Sequence, residues 1–158
     1  MALNCATDVY VGKEVAVEFA LACGDIDPGT LSFLPIGAMR GKEVTFEADT
    51  VDTTTDDSLG SIRSSLVTFK SFSFSGDGVC KRADGTLSNQ TALFKHFASE
   101  DQPVCYMRFT YPDVTIVSFM ILTNMSRSAP HDDVSTFSLE ATASAADFPL
   151  TVTDTPVV

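Results

Sequence analysis

A chain of 158 residues fits one domain around a single core. Its 10 Lys+Arg against 21 Asp+Glu, a net charge of -11, oppose close wrapping of nucleic-acid phosphates. No stretch approaches the roughly 20 apolar residues of a membrane span, and the opening "MALNCATDVYVGKE" shows no basic leader, so a soluble protein not exported by the usual route is expected. Four cysteines (Cys5, Cys23, Cys80, Cys105) form no C-x-x-C pair, which argues against a zinc knuckle or redox motif and for reduced, mostly buried thiols. The acids are uneven: residues 1–62 hold eleven against three bases (Lys13, Arg40, Lys42), which predicts one concentrated negative surface.

Period-two alternation dominates from the start. "EVAVEFALAC" sets Val15, Val17, Phe19, Leu21 and Cys23 on one face and Glu14 and Glu18 on the other, a half-buried strand. "GDIDPG" reads as a turn, and "LSFLPIGAMR" (31–40) as a strand broken by Pro35 and Gly37. In "KEVTFEAD" Val44, Phe46 and Ala48 share one face, while Glu43, Thr45, Glu47 and Asp49 share the other with no base to neutralise the carboxylates.

Residues 49–65, "DTVDTTTDDSLGSIRSS", interrupt this pattern with a long acidic segment. A metal loop, a disordered tether and an arm ordered by a partner are the three readings. Asp49, Asp52, Asp56 and Asp57 do not meet the spacing of an EF-hand. Alternation resumes in "LVTFKSFSFSGDGV", where Val67 and Phe69 run in one phase and Phe72 and Phe74 in the other, predicting a bulge near Lys70 and Ser71. "SGDGV" is expected to be a tight turn with positive φ at Gly76 or Gly78, since it lacks the strand-to-helix context of a phosphate loop.

One helix is predicted, "SNQTALFKHFAS" (88–99), capped at or beside Ser88. Its apolar stripe Leu93, Phe94, Phe97 and Ala98 should pack on a sheet, with His96 at the edge of the polar face. Three strands follow, at 104–111, 115–124 and 133–144, the last with Phe137, Leu139 and Ala141 inward and Thr136, Ser138 and Glu140 outward. "YPDV" turns between the first two. "HDD" (131–133) places His131 beside Asp132 and Asp133, but a proline and Asx residues make it a turn launching the last strand. The tail, 146–158, either frays or docks on a neighbour. About seven strands and one helix predict a mainly β fold, a sandwich or small barrel with a flanking helix, in one domain over 1–145 followed by a C-terminal arm. No nucleophile motif, metal set or cofactor fingerprint points to an enzyme.

The order of "FSFSGDG", "NQTALFKHFASEDQPV", "YPD", "TNMSRSAPHDDV" and "STFSLEATAS", preceded by "RGKEVTFEADTVDTTTDD", resembles the major tail tube proteins of long-tailed, siphophage-type bacteriophages over residues 40–145. The matching closing turn and strand comprise Ser128, Ala129, Pro130, Asp132, Asp133, Val134, Thr136, Phe137 and Ser138. The resemblance implies a structural, non-enzymatic virion protein without cofactor, forming hexameric rings that stack into a hollow tail tube. It also implies that DNA passes through during ejection without specific binding. It further implies assembly in the host cytoplasm, virion partners such as tape-measure, tail-tip and terminator proteins, and no membrane. Glu43, Glu47 and Asp49 become candidates for the lumen wall, Asp52, Asp56, Asp57 and Arg63 for inter-ring contacts of the long loop, and Leu93, Phe94 and Phe97 for helix packing. A tail terminator, a secretion-tube subunit and a stand-alone ligand-binding β-sandwich are the competing expectations.

Overall fold

The computed structural model describes residues 10–55, 60, 63–81 and 89–155. Among them the elements run β1 (Ala16–Ala20), β2 (Leu34–Pro35), β3 (Met39–Asp52), β4 (Ser65–Val79), α1 (Gln90–Ser99), β5 (Val104–Thr110), β6 (Val114–Ser128), β7 (Thr136–Ala143) and β8 (Thr151–Asp154). All eight strands belong to one antiparallel sheet in the order β2-β1-β5-β6-β7-β4-β3, with β8 pairing on β6. The fold is therefore mainly β with one helix, as the alternation predicts.

The sheet curls on itself. Phe74 of β4 and Phe109 of β5 are separated in the sheet by β6 and β7, yet their ring centroids lie 4.8 Å apart, and Phe72 meets Phe109 at 5.7 Å. The concave side thus forms the core, filled by Val17, Phe19, Phe72, Phe74, Met107, Phe109, Met120, Phe137 and Leu139. Burying each such side chain contributes about 1.5–3 kcal/mol. The curl stays open at the seam between edge strands β2 and β3. Across that seam Lys42 of β3 donates from Nζ to the carbonyls of Gly12, at 3.2 Å, and Val15, in and beside a short 3-10 turn at Gly12–Glu14. Partial burial lowers the Lys42 pKa below its ordinary value.

The helix lies over the concave side. Leu93 is buried in the core and Phe97 packs against it, while Phe94 carries the Arg127 guanidinium 4.6 Å above its ring. The N-terminus of α1 is pinned by buried Gln90: Nε2 donates to the carbonyls of Gly37 (2.8 Å) and Val79 (3.0 Å), and Oε1 accepts from the Lys81 amide (3.2 Å). Asn89 adds a donation to the Pro35 carbonyl at 2.9 Å. The predicted cap, Ser88, lies outside the described residues, and the observed N-cap is Asn89, which makes no side-chain capping bond.

Several expectations change. Strand β1 ends at Ala20, so Leu21 and Cys23 leave the buried face and become exposed. The broken strand at 31–40 divides into edge strand β2, Leu34–Pro35, and, after a break at 36–38, the start of β3 at Met39. Gly76 and Gly78 sit inside β4 instead of in a turn; a Cβ at Gly78 would strike the Ala38 carbonyl, so close approach, and not positive φ, requires glycine at that position. The register shift in the β3–β4 pair opposes Asp49/Thr50 to Phe69/Val67 and leaves Thr68 as the extra residue, two positions before the predicted bulge. The tail does not fray over 151–154: β8 pairs with Val114–Val117 of its own chain, and Leu150 packs on the core.

Candidate functional site

The segment expected as a loop from 49 to 65 is strand at both ends. β3 continues through Asp52, whose partner is Ser65, so the connection spans only 53–64. β-branched Thr50 and Val51 fit the extended backbone, which the acidic composition masked. A second property is not local: β7 flanks β4 only from Ser73 to Val79, so beyond that point β3 and β4 form a two-stranded hairpin with no further strand on either side among the described residues. It projects from the sheet as an arm. At its far end Asp52 accepts from the Thr54 amide (2.9 Å), and hydrogen bonds from Thr54 hold its carboxyl below the ordinary 3.8. Thr53 closes on Ser64 through main-chain (2.8 Å) and hydroxyl (3.0 Å) bonds. Arg63 is exposed. Asp56 and Asp57 lie outside the described residues.

Register assigns the side chains to faces, because directly paired residues point to the same side. Val44↔Phe74 and Phe46↔Phe72 face the core. On the convex face Glu43, Ser75, Glu140 and Asn124 form one row across β3, β4, β7 and β6. Thr45, Ser73 and Thr142 form the next, and Asp77, Ser138 and Ser126 the row on the other side. Glu47 follows opposite Ser71, and Asp49 opposite Phe69. Gly41 faces Asp77, and the missing Cβ leaves room for the Asp77 carboxylate.

The result is a four-stranded wall of hydroxyls and carboxylates. The structure joins Glu43 and Glu47 on it with two acids that sequence reading did not group with them, Asp77 and Glu140. Backbones of Glu43 and Glu140 are roughly 10 Å apart, one strand intervening. Among the described residues, bases avoid this wall: Lys42 turns to the seam, Arg127 to the helix and Lys70 pairs with Ala48 on the other face. Arg40 stands at its margin, as the extra residue between Met39 and Gly41. Asp49 is on the same face but on the arm, and Asp52 is on the opposite one. The convex face of β1, β5 and the start of β6 is instead covered, with Arg108 bonded to Glu18 at 2.6 Å beneath the Phe33 ring, and Tyr106 donating to the Gly24 carbonyl.

No group of His, Cys, Asp or Glu among the described residues is arranged to hold a metal ion. His131 and Asp132 approach only to 3.8 Å, both almost fully in solvent. His96 is held by the Val104 carbonyl (2.9 Å).

The family model for phage tail tube proteins matches residues 12–146. Among solved structures, the tail of an empty gene transfer agent particle, refined helically with C6 symmetry, is similar with TM-score 0.71 and 25% identity, over 92% of this chain and 99% of that one. The tube of SPP1 shares the fold with TM-score 0.63 and 14% identity, over 92% of this chain and 79% of that one. No curated protein matches by sequence. With a family match across most of its length and a curled open sheet similar to that of one chain of the gene transfer agent tail, the chain belongs to the phage tail tube family of structural proteins.

Proposed function

We propose that six copies close into a ring, that rings stack into a hollow tube, and that the serine- and carboxylate-rich wall lines its bore. Glu43, Glu47, Asp77 and Glu140 then face passing DNA, with Asp49 at the margin where the arm leaves the wall. The observation carrying this reading is the segregation of charge: carboxylates on adjacent strands of one face, with bases directed elsewhere. Neutralising several phosphates with bases lowers release by orders of magnitude; a carboxylate bore makes no such contact, so the tube conducts DNA by not binding it. Hydroxyls between the acids keep the wall wetted. Terminator, tape-measure and tail-tip proteins are the expected virion partners, and assembly takes place in the host cytoplasm.

The free edges support assembly as well. The outer edge of β3 pairs with no strand among the described residues, and an unpaired edge of this length is an aggregation hazard unless a partner covers it. Ring closure supplies that partner. Replacing Glu43, Glu47 and Glu140 with Lys together is expected to leave tube formation intact and slow DNA ejection. Ejection at the native rate from intact triple-variant tubes would refute the bore assignment.

A further inference from the structure

The outer edge of β3 is not bare in the single chain. Between it and the start of β1 stands the 3-10 turn Gly12–Glu14, whose Cα atoms come within 8 Å of those of β3. The turn closes on itself: the Glu14 amide donates to the Val11 carbonyl at 3.0 Å, the Val15 amide to the Gly12 carbonyl at 3.2 Å, and the Glu14 carboxylate accepts from the Val11 amide at 3.1 Å. Among the described residues no main-chain hydrogen bond ties it to β3. Lys42 ties it, donating from Nζ to the Gly12 and Val15 carbonyls. The half-buried ammonium meets no carboxylate among the described residues, so a charge drawn partly out of water is compensated there by carbonyl dipoles. Val15 is buried and roots the turn at β1, whereas Tyr10 and Val11 before it are exposed.

We infer that the Gly12–Val15 turn is an autoinhibitory latch on the β3 edge, with Lys42 as its catch. Closed, it occupies the seam that a strand of a second copy must enter to pair with β3; open, it leaves that edge free. The inference rests on the tube reading above and adds a device that sets when the edge becomes available. Covering an edge with a loop protects a free strand against pairing, and a cover joined through a side chain is removable. A strand laid along β3 makes a ladder of main-chain bonds, which outweighs the two that Lys42 gives up. Concentrated subunits therefore displace the latch, and dilute ones keep it.

Lys42→Met keeps the apolar stem and removes the donors. Its critical assembly concentration, read by light scattering, is expected to fall about tenfold below the native value, the size of one net hydrogen bond from a charged group. A folded variant whose critical concentration is unchanged or raised overturns the inference while leaving the tube reading standing. A native chain that forms no tubes overturns both. Hydrogen exchange on the native chain is an independent test, and it decides if Lys42→Met does not fold. In tubes the Glu14 and Val15 amides are expected to exchange faster than in free subunits, because the turn has left its catch, whereas β3 amides around Lys42 slow as their edge is paired. Turn amides that exchange no faster in tubes than in free subunits overturn the latch.

Discussion

Gln90 shows how one side chain joins the helix to the sheet. Its amide satisfies two carbonyls and one amide of two separate segments, at Gly37 and at Val79–Lys81, while itself buried, and an unsatisfied buried backbone group costs about 1–3 kcal/mol. Gln90→Leu removes all three bonds but keeps an apolar side chain of similar length, so a loss of about 2–4 kcal/mol is expected from chemical denaturation; a loss below about 0.5 kcal/mol would show that the helix is held by Leu93 and Phe97 alone. Thiols give a second residue-scale outcome. Burial pushes Cys105 up to about 12, whereas Cys23 is exposed. At pH 8 a thiol reagent should modify Cys23 in the native protein and reach Cys105 only on unfolding, because the thiolate is the reacting species. Rapid native labelling of Cys105 would contradict its place in the core.

At the scale of elements the arm is the informative piece. Replacing residues 49–69 with Asn-Gly would join the paired Ala48 and Lys70 by a two-residue hairpin turn. The shortened chain is expected to keep a melting temperature within about 5 °C of the native chain, since its core is untouched, and to form no tubes; normal tubes would remove the arm from assembly. Within the arm, the Asp52 carboxylate has its pKa lowered by bonds from Thr54, so its contribution is present above the ordinary 3.8 and is lost as pH falls through the lower folded value. Hydrogen exchange at the Thr54 amide should accordingly speed up as pH drops below about 4, relative to the pH trend of amides in β7. An unchanged ratio would show that the bond does not hold the tip.

Much of this element structure is legible in the alternation: β3 with Val44 and Phe46 inward, β7 with Phe137, Leu139 and Ala141 inward, and the helix near 90–99. What alternation does not carry is pairing. That Ser75 stands between Glu43 and Glu140, and that Asp77 joins the same wall, follows from register between strands far apart in the chain. The arm was hidden for a different reason, because Asp and Thr composition resembles a solvated loop while β-branching favours strand. β8 has four exposed residues and offers too short a pattern to read.

For the whole molecule, the convex face separates into two chemistries. One half is covered by residues 21–33 and 144–151; the other is left open, hydroxylated and acidic. Tubes of the native chain are expected not to retain DNA at low salt, and Glu43→Lys/Glu47→Lys/Glu140→Lys tubes to retain it with an affinity that falls as salt rises. Equal retention by both would contradict the electrostatic account.

Assembly itself is the central claim, and negative-stain electron microscopy of the purified chain across a concentration series tests it most directly. Hollow stacked rings of six subunits, growing longer with concentration, are the predicted result. A population of single subunits at every concentration, with tail-initiator proteins added, would contradict it.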